Sequence, residues 1–303
     1  MNLSVVGSVG LDDVETPFGK VELALGGSAS YFSLAASFFG RVGFVGIVGD
    51  DFPESSVELL RNHDVDVRGL QRVEGKTFRW AGRYGYDLNQ RDTLLTELNV
   101  FEHFRPELPG DYAAAPYLFL ANIHPSLQSH VLDQAHGAKF VAMDTMNFWI
   151  EGALDDLKKV LARVDCIVLN DSEARQLAKT PNVITAAKAI SAMGPRLVVV
   201  KRGEHGAFLY SEGNFFFVPA FPLEQVVDPT GAGDCFAGGF MGLIAASGDT
   251  SWPTLCHAVV AGSALASFSV ENFSVDRFRS LTQGEIQDRI AAFEAMTAFP
   301  TRA

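Results

Sequence analysis

The stretch that decides the fold runs from Val227 to Gly242 and reads Val-Asp-Pro-Thr-Gly-Ala-Gly-Asp-Cys-Phe-Ala-Gly-Gly-Phe-Met-Gly. It opens with Asp-Pro-Thr and continues through Gly231 and Gly233, a composition typical of a tight loop. Apolar residues then recur at helical spacing, at Phe236, Phe240, Leu243 and Ile244. The pattern therefore predicts a loop that runs into the amino end of a helix.

A helix that begins directly after such a loop is a candidate anion site. Its first backbone N–H groups lack intrahelical partners, and the helix dipole is positive at that end. Glycines at 231 and 233 let the main chain approach a charged ligand where a Cβ atom would obstruct it. The stretch therefore indicates a phosphate site.

An acid, Asp234, directly follows these glycines. A carboxylate beside a transferring phosphate has a chemical use when it accepts the proton of an attacking hydroxyl group. The alternative is that Asp234 caps the helix, as Asp commonly does. The residue types alone leave both interpretations open.

The segment Asp-Pro-Thr-Gly-Ala-Gly-Asp resembles the carboxyl-terminal signature of the ribokinase/PfkB family of carbohydrate kinases, which act on sugars and nucleosides. The resemblance implies that Gly231, Ala232 and Gly233 form an anion hole for the transferring phosphoryl group. It implies that Asp234 is the catalytic base, and that ATP and Mg²⁺ are the cofactors.

Composition agrees with a small-molecule enzyme. The chain has 303 residues, of which 48% are hydrophobic, and carries a formal net charge of −12. That charge argues against general nucleic-acid binding, for which a basic face is expected. The three cysteines show no metal-binding spacing and suggest buried thiols in a reducing compartment. Since no apolar run is long enough for a membrane span, we expect a cytoplasmic protein without a membrane partner.

Strand and helix patterns alternate along most of the chain. Short apolar runs lie between amphipathic stretches, at Leu3–Gly7, Tyr117–Ala121, Phe140–Met143, Cys166–Leu169 and Leu197–Val200. This alternation predicts an α/β fold with a mostly parallel central sheet and helices on both faces. The resemblance implies one ribokinase-like domain over residues 1–303, with a small β-sheet lid inserted from about 11–27 and 73–101. The edge of such a lid offers a surface for a homodimer.

On the acceptor side, the resemblance implies that Asp12 holds the hydroxyl groups of the substrate, with Asp13 as an adjacent alternative. An ordinary solvated turn would also explain this pair of acids. Gly26 and Gly27 match the di-glycine of the family's amino-terminal signature, a hinge beside the substrate. Tyr31 stands where many members have Asn, so it either stacks on a ring of the substrate or packs inside the protein.

On the nucleotide side, Asn170 and Glu173 resemble the family's Asn-x-x-Glu motif, which implies that Glu173 holds Mg²⁺, often through water. The same spacing is also a helix capping box. Lys201 could neutralise phosphate or simply be solvated.

Further positions follow from the resemblance. Gly203 and Gly206 match the segment that meets the phosphate and ribose of ATP, and Asn272 falls in the segment that closes the adenine pocket, where many relatives have Gly. Asp228 and Thr230 correspond to positions near a monovalent cation in some members, which implies K⁺ activation.

Together these features predict a kinase that moves the γ-phosphate of ATP to a hydroxyl group of a sugar or sugar-like molecule. Two alternatives stay open. The acceptor could be a nucleoside or an inositol, or the chain could be a non-catalytic nucleotide sensor with the same fold.

Overall fold

The chain folds into strands and helices that alternate along most of its length, and this computed structural model describes residues 1–298. The strands are β1 (Leu3–Val6), β2 (Gly10–Thr16), β3 (Gly19–Gly26), β4 (Val42–Val48), β5 (Val65–Arg72), β6 (Phe78–Tyr84), β7 (Arg91–Glu97), β8 (Tyr117–Leu120), β9 (Phe140–Asp144), β10 (Cys166–Asn170), β11 (Leu197–Lys201), β12 (Ala207–Ser211) and β13 (Asn214–Val218).

The helices are α1 (Ser28–Ser37), α2 (Glu54–Asn62), α3 (Gly110–Ala113), α4 (Pro125–Gln134), α5 (Asn147–Gly152), α6 (Leu154–Leu161), α7 (Asp171–Ala178), α8 (Val183–Ser191), α9 (Ala232–Ser247), α10 (Trp252–Ser269) and α11 (Gln283–Thr297). Short 3-10 helices cover Asn99–His103, Gly203–His205 and Asp276–Arg279. Within residues 1–298, no helix combines the length and the apolar character that crossing a membrane requires.

Nine strands form the main sheet, in the order β13-β12-β11-β10-β9-β8-β1-β4-β5. The seven strands from β11 to β5 are parallel, and β12 and β13 add an antiparallel hairpin at one edge. From β1 the chain winds to one side through β4 and β5, and later to the other side through β8 to β11. This reversal of strand order opens a crevice at the carboxyl ends of β1 and β8, where ligands bind in open α/β sheets.

Helices cover both faces of the main sheet, because its strands bury side chains on both sides. Val5 of β1 belongs to the core that includes Phe32 of α1 and Phe240 of α9. Val6, the next residue, belongs to the second core, together with Leu157 of α6. The alternating direction of strand side chains thus supplies two apolar layers.

The other four strands form a separate sheet in the order β3-β2-β6-β7. Strands β2 and β6 are parallel, and the two outer pairs are antiparallel. Since β2 follows β1 after a short loop, this small sheet lies at the carboxyl ends of the main sheet's strands.

The predicted fold class is confirmed: a mostly parallel central sheet with helices on both faces, and a small second sheet. The strands of the small sheet span Gly10–Gly26 and Phe78–Glu97. The division into one domain over 1–303 with a lid at 11–27 and 73–101 stays a prediction, and residues 299–303 lie outside the described residues.

Helices α9 and α1 pack so closely that Gly238 has no room for a side chain. A Cβ atom there would lie 2.3 Å from the Phe32 carbonyl oxygen and 2.8 Å from Ala35 Cβ. We expect Gly238→Ala to lower the free energy of unfolding by about 1–3 kcal/mol, measured by urea denaturation. Gly110→Ala is the control, because a Cβ at Gly110 meets nothing within 4 Å. Equal stability of the two variants would contradict this account of the packing.

Candidate functional site

A cleft of 3240 Å³ opens between the small sheet and the carboxyl ends of the parallel strands. Residues that follow β10 and β11 line one end of the cleft, and residues that follow β8 and β9 line the other. The first turn of α9 lies between these ends and contributes Gly231 to Asp234 to the lining. The cleft thus coincides with the crevice that the strand order creates.

Two observations explain why the loop before α9 needs a glycine at position 231. Gly231 is the N-cap residue of α9 and has a left-handed backbone, with φ 75°. A Cβ atom there would lie 2.4 Å from the ring of Tyr31. Ala232 follows Gly231 in the predicted anion hole. Its N–H forms only a long hydrogen bond, of 3.3 Å, to the Pro229 carbonyl oxygen. The first turn therefore presents N–H groups to the cleft at the positive end of the helix.

Lys201, the last residue of β11, brings its ammonium group to this helix start. A Cβ atom at Gly233 would lie 2.6 Å from Lys201 Nζ. A side chain at position 233 would therefore displace the ammonium group from this place. Since Lys201 is partly buried and lines the cleft, its charge and the helix dipole act on the same small region.

Asp234 lies in the first turn of α9 but does not cap it, since Gly231 is the N-cap residue and no side chain bonds the cap. Burial raises the pKa of the Asp234 carboxyl group to about 6, while the positive charges of Lys201 and Arg91 lower it and Glu173 raises it. A general base works best when its pKa lies near the operating pH. The environment of Asp234 therefore suits proton abstraction near neutral pH.

Asp144, at the end of β9, pairs with Asp234. Its side chain is 5% exposed, and burial holds the pKa of its carboxyl group well above the ordinary value, with the charge of Asp234 adding to the effect. Asp144 therefore holds a proton that it can donate to Asp234 in a hydrogen bond, and this bond lowers the pKa of Asp234. Gln128 Nε2 fixes the backbone of this strand end by donating to the Asp144 carbonyl oxygen at 3.2 Å.

Asp12 enters the cleft from the small sheet, at the end predicted to hold the acceptor. A Cβ atom at Gly26 would lie 2.1 Å from the Asp12 carboxyl group, so glycine makes room for it. Burial, followed by the charges of Asp228, Asp234 and Asp13, raises the pKa of Asp12 to about 8. Asp13 instead accepts a hydrogen bond from the Leu23 N–H at 2.6 Å and so braces the hairpin.

Gly27 lies between β3 of the small sheet and α1, and Tyr31 lies in the first turn of α1. Gly27 has φ 91°, and a Cβ atom there would lie 2.5 Å from the Ser8 carbonyl oxygen. Tyr31 is 2% exposed, and its ring packs under Gly231. Of the two interpretations of Tyr31, the structure favours packing, and a contact with substrate stays a prediction.

At the end predicted to hold the nucleotide, Asn170 and Glu173 form the capping box of α7. Glu173 Oε2 accepts from the Asn170 N–H at 2.8 Å, and Asn170 Oδ1 accepts from the Glu173 N–H at 2.8 Å. Both residues also line the cleft. Within the described chain, Glu173 Oε1 forms no hydrogen bond, so one oxygen is left over for a hard cation such as Mg²⁺.

The remaining predicted residues differ in where they lie. Gly203 and Gly206 line the cleft with φ of 52° and 79°. Asn272 is exposed, and neither it nor Asp228 lies among the residues that line the cleft. Asp228 is fully buried, and its oxygens accept from the N–H groups of Thr230 and Ser274 at 2.9 and 3.0 Å, so it braces the loop before α9.

One residue in the cleft, Arg91, was missed by the motifs. It opens β7, lines the cleft, and its charge lowers the pKa of Asp12, Asp234 and Glu173. Nothing in the sequence indicates that this arginine faces the cleft, since it belongs to no motif and lies in a β-prone segment with other charged residues. Asp144 had a local signal, because it follows a predicted strand.

A large cleft over a glycine-bearing helix start, with a lysine beside this start and an acid of pKa about 6 in its first turn, fits one class: phosphotransferases of the ribokinase-like α/β fold. The family model described as pfkB family carbohydrate kinase matches residues 5–279. The chain therefore belongs to the pfkB family of carbohydrate kinases. The predicted family is confirmed, and with it a sugar or nucleoside kinase that uses ATP.

Individual relatives are similar to this chain in sequence or in fold. The chain is 32% identical over 248 residues to a cytidine kinase of Thermococcus kodakarensis, covering 80% of this chain and 87% of that protein. A Burkholderia thailandensis nucleoside kinase in complex with inosine has a TM-score of 0.80 at 17% identity, covering 97% of this chain and 98% of that one. A putative ribokinase II from E. coli in complex with ATP and Mg²⁺ has a TM-score of 0.75 at 19% identity, covering 97% and 99%.

The Asp144–Asp234 pair predicts a specific pH dependence. We expect kcat/KM to fall as the pH drops below about 6, because the base must be ionised. Asp144→Ala removes the hydrogen bond that lowers the pKa of Asp234, so the acid limb should move to higher pH and activity at pH 6 should fall several-fold. Asp144→Asn keeps a donor and should leave the limb close to that of the wild type. Identical pH profiles for the alanine variant and the wild type would exclude this role of Asp144.

Proposed function

We propose that this kinase transfers the γ-phosphate of ATP to a hydroxyl group of a nucleoside. The observation that carries the catalytic part is Asp234, an acid with a pKa of about 6 placed beside the helix start and Lys201. The nucleoside is the alternative acceptor that the sequence left open. It is supported by the relation to a cytidine kinase and by the shape of the acceptor end of the cleft.

The acceptor end of the cleft is lined by planar and apolar side chains from both of its walls. Phe78, Trp80 and Phe101 approach from the side of the small sheet, with the rings of Phe78 and Phe101 5.5 Å apart. Met146 and Trp149 approach from the end of β9. Aromatic walls suit a heterocyclic base, whereas a free sugar would leave this surface uncovered.

Asn122, at the end of β8, adds a polar group to these walls. Its Oδ1 accepts from Trp149 Nε1 at 2.8 Å. Since an indole nitrogen can only donate, this bond fixes the orientation of the amide and leaves Nδ2 beside the weak acceptor Met146 Sδ at 3.2 Å. An N–H donor with so weak a partner suits an acceptor atom of a base.

The proposed mechanism assigns one task to each group. Asp12 orients the acceptor hydroxyl, and Asp234 removes its proton as the oxygen attacks the γ-phosphorus of ATP. The first-turn N–H groups of Gly231 to Gly233 and the ammonium group of Lys201 stabilise the charge of the transferring group. Glu173 would hold Mg²⁺ through water, and the ion would supply further charge neutralisation to the phosphates of ATP.

The nucleotide-side roles of Asn170, Gly203, Gly206 and Asn272 remain part of this proposal. So does activation by K⁺ near Asp228 and Thr230. The two oxygens of Asp228 already accept N–H bonds, and the Thr230 hydroxyl donates to the Tyr84 hydroxyl at 3.1 Å. A bound K⁺ would therefore act on the loop that these two side chains brace.

Asp234→Asn tests the catalytic assignment. The amide cannot accept the proton, so we expect turnover to fall by about 10²–10⁴-fold while the fold and the affinity for ATP are retained. ADP release measures turnover, and calorimetry measures ATP binding. Asp133→Asn is the control, because Asp133 is exposed and pairs only with Arg163 at 2.7 Å among the described residues. Unchanged turnover in Asp234→Asn would remove the base assignment, whereas a wild type that binds ATP without turnover would favour the nucleotide sensor.

An acceptor panel tests the substrate. We expect ADP release with Mg-ATP to be fastest with nucleosides, and slower with free sugars or inositols, because these leave the aromatic walls uncovered. The panel is run with and without K⁺, and stimulation by K⁺ but not by Na⁺ is the expected result. A strongly preferred free sugar would contradict the nucleoside acceptor and leave the kinase assignment intact.

The small sheet also offers an edge for self-association. Every residue of the edge strand β7 is exposed, including Leu94 at 53%. We propose a homodimer formed through this edge, because unpaired strand edges with apolar side chains tend to pair. Leu94→Asp should then give a monomer by light scattering, whereas Phe217→Asp, at an equally exposed site on β13, should leave the mass unchanged. A wild-type monomer would contradict the proposal.

A further inference from the structure

An apolar part of the cleft lies beside Gly206. A Cβ atom at Gly206 would lie 2.8 Å from the Ala220 backbone nitrogen, which places the segment after β13 next to the loop that follows β11. Side chains from this segment and from α10 line the cleft here, and most of them are apolar: Ala220, Phe221, Leu223, Val226, Ala266 and Val270. The Val227 N–H donates to the Val270 carbonyl oxygen at 2.7 Å and joins the two walls. An apolar surface with few polar groups suits a flat heterocyclic base.

Two serines of α10 interrupt this apolar surface. Ser263 and Ser267 line the cleft together with Ala266 and Val270. Residues at this spacing share one face of a helix, and the Cβ atoms of residues four apart lie about 5–6 Å from each other. The two hydroxyl groups can therefore reach neighbouring atoms on one edge of a bound base.

The hydrogen bonds of Ser267 fix the direction of its hydroxyl group. Ser267 Oγ donates to the Ala264 carbonyl oxygen at 2.7 Å and accepts from Arg289 Nη1 at 3.1 Å. A hydroxyl group has a single hydrogen, and a guanidinium group can only donate. Ser267 therefore offers a ligand only a lone pair. Ser263, by contrast, forms no side-chain hydrogen bond within the described residues, so its hydroxyl group is free to donate.

Arg289, in α11, is held in place by an ion pair and two aromatic rings. Its Nη1 lies 2.8 Å from Glu271 Oε1, and its side chain is 14% exposed. Its guanidinium carbon lies 3.4 Å from the centroid of the Phe268 ring and 4.6 Å from that of Phe221. Arg277 Nε holds the other carboxylate oxygen of Glu271 at 2.8 Å. A planar donor fixed in this way cannot turn away, so its bond to the serine hydroxyl is a permanent part of this wall.

We infer that Ser267 determines the specificity for the base of the phosphate donor, and that Arg289 is the positioning residue that keeps Ser267 an acceptor. This inference rests on the proposed function, in which the cleft takes ATP. Adenine carries an amino group beside a ring nitrogen that only accepts. The amino group donates to Ser267, and Ser263 donates to the ring nitrogen. Hypoxanthine and guanine carry a carbonyl oxygen in place of this amino group, so two acceptors would face each other.

Calorimetry with Mg-ADP and with the magnesium complex of inosine diphosphate, Mg-IDP, tests this selection without an acceptor substrate. We expect the wild type to bind Mg-ADP at least about tenfold more tightly than Mg-IDP, because IDP places a carbonyl oxygen against Ser267. Ser267→Ala should reduce this ratio to about threefold or less. Arg289→Met frees the Ser267 hydroxyl group to donate to that carbonyl oxygen, so it should reduce the ratio by tightening Mg-IDP binding. Arg289→Lys keeps a donor and should retain most of the ratio.

Ser37→Ala is the matched control for Ser267→Ala. Ser37, in α1, donates the same kind of bond to the Leu34 carbonyl oxygen at 2.8 Å and lies outside the cleft lining. Its variant should keep the ratio of the wild type. In turnover, Ser267→Ala should raise KM for ATP several-fold and leave kcat within about twofold of the wild type, because the base takes no part in the chemical step.

Equal affinities of the wild type for Mg-ADP and Mg-IDP, or the same ratio in Ser267→Ala and the wild type, would overturn the inference. Equal weakening of both ligands in Arg289→Met would give Arg289 a structural role only and overturn its part. A wild type that does not bind Mg-ADP would contradict the use of ATP and this inference with it. Inactivity on nucleosides would count only against the proposed acceptor, and the binding ratio would still decide the role of Ser267.

Discussion

The geometry of the cleft depends on how closely the first turn of α9 packs against its neighbours. Gly231 lies on the ring of Tyr31, and Gly233 leaves space for the ammonium group of Lys201. A side chain at position 231 would move the helix start away from Tyr31, and one at position 233 would displace the ammonium group of Lys201. One turn further on, Gly238 packs against the Phe32 carbonyl oxygen, so a shift of α9 away from α1 would leave a gap in this close packing. The glycines therefore fix the height of the anion site above the sheet, and Asp234 takes its position from the same turn.

The second constraint is the crowding of acids in the cleft. Burial raises the pKa of four carboxyl groups there, those of Asp12, Asp144, Glu173 and Asp234. Full ionisation of all four at neutral pH would be costly, so the ligand-free site keeps some of them protonated. Lys201 and Arg91 both lower the pKa of Asp234, as they do that of Glu173. The two cations that suit phosphate therefore also favour the ionised form of the base.

The parts of the site that can be predicted from sequence are those carried by contiguous residues. The loop before α9 is one, because Gly231, Gly233 and Asp234 act through local backbone geometry. Asn170 and Glu173 show a limit, since a capping box and a metal ligand require the same spacing, and the structure contains the capping box. Arg91 shows another limit: its direction depends on its register with Tyr84, beyond a bulge between Ala81 and Gly82, and a slip of one residue would turn it to the other face. The fold class was predictable because alternating strands and helices leave few topologies.

The contacts of the β6–β7 hairpin connect water exclusion to electrostatics. Water competes with the acceptor hydroxyl as a nucleophile, so a kinase must cover its reacting centre. The hairpin covers the cleft through the contact of Tyr84 with Thr230, in the loop before α9, and the contact of Asn89 with Glu204, just after β11. A hairpin lifted from either loop would admit water, and it would also take the charge of Arg91 away from Asp234, whose pKa that charge lowers. The contacts that exclude water therefore also help to keep the base ionised.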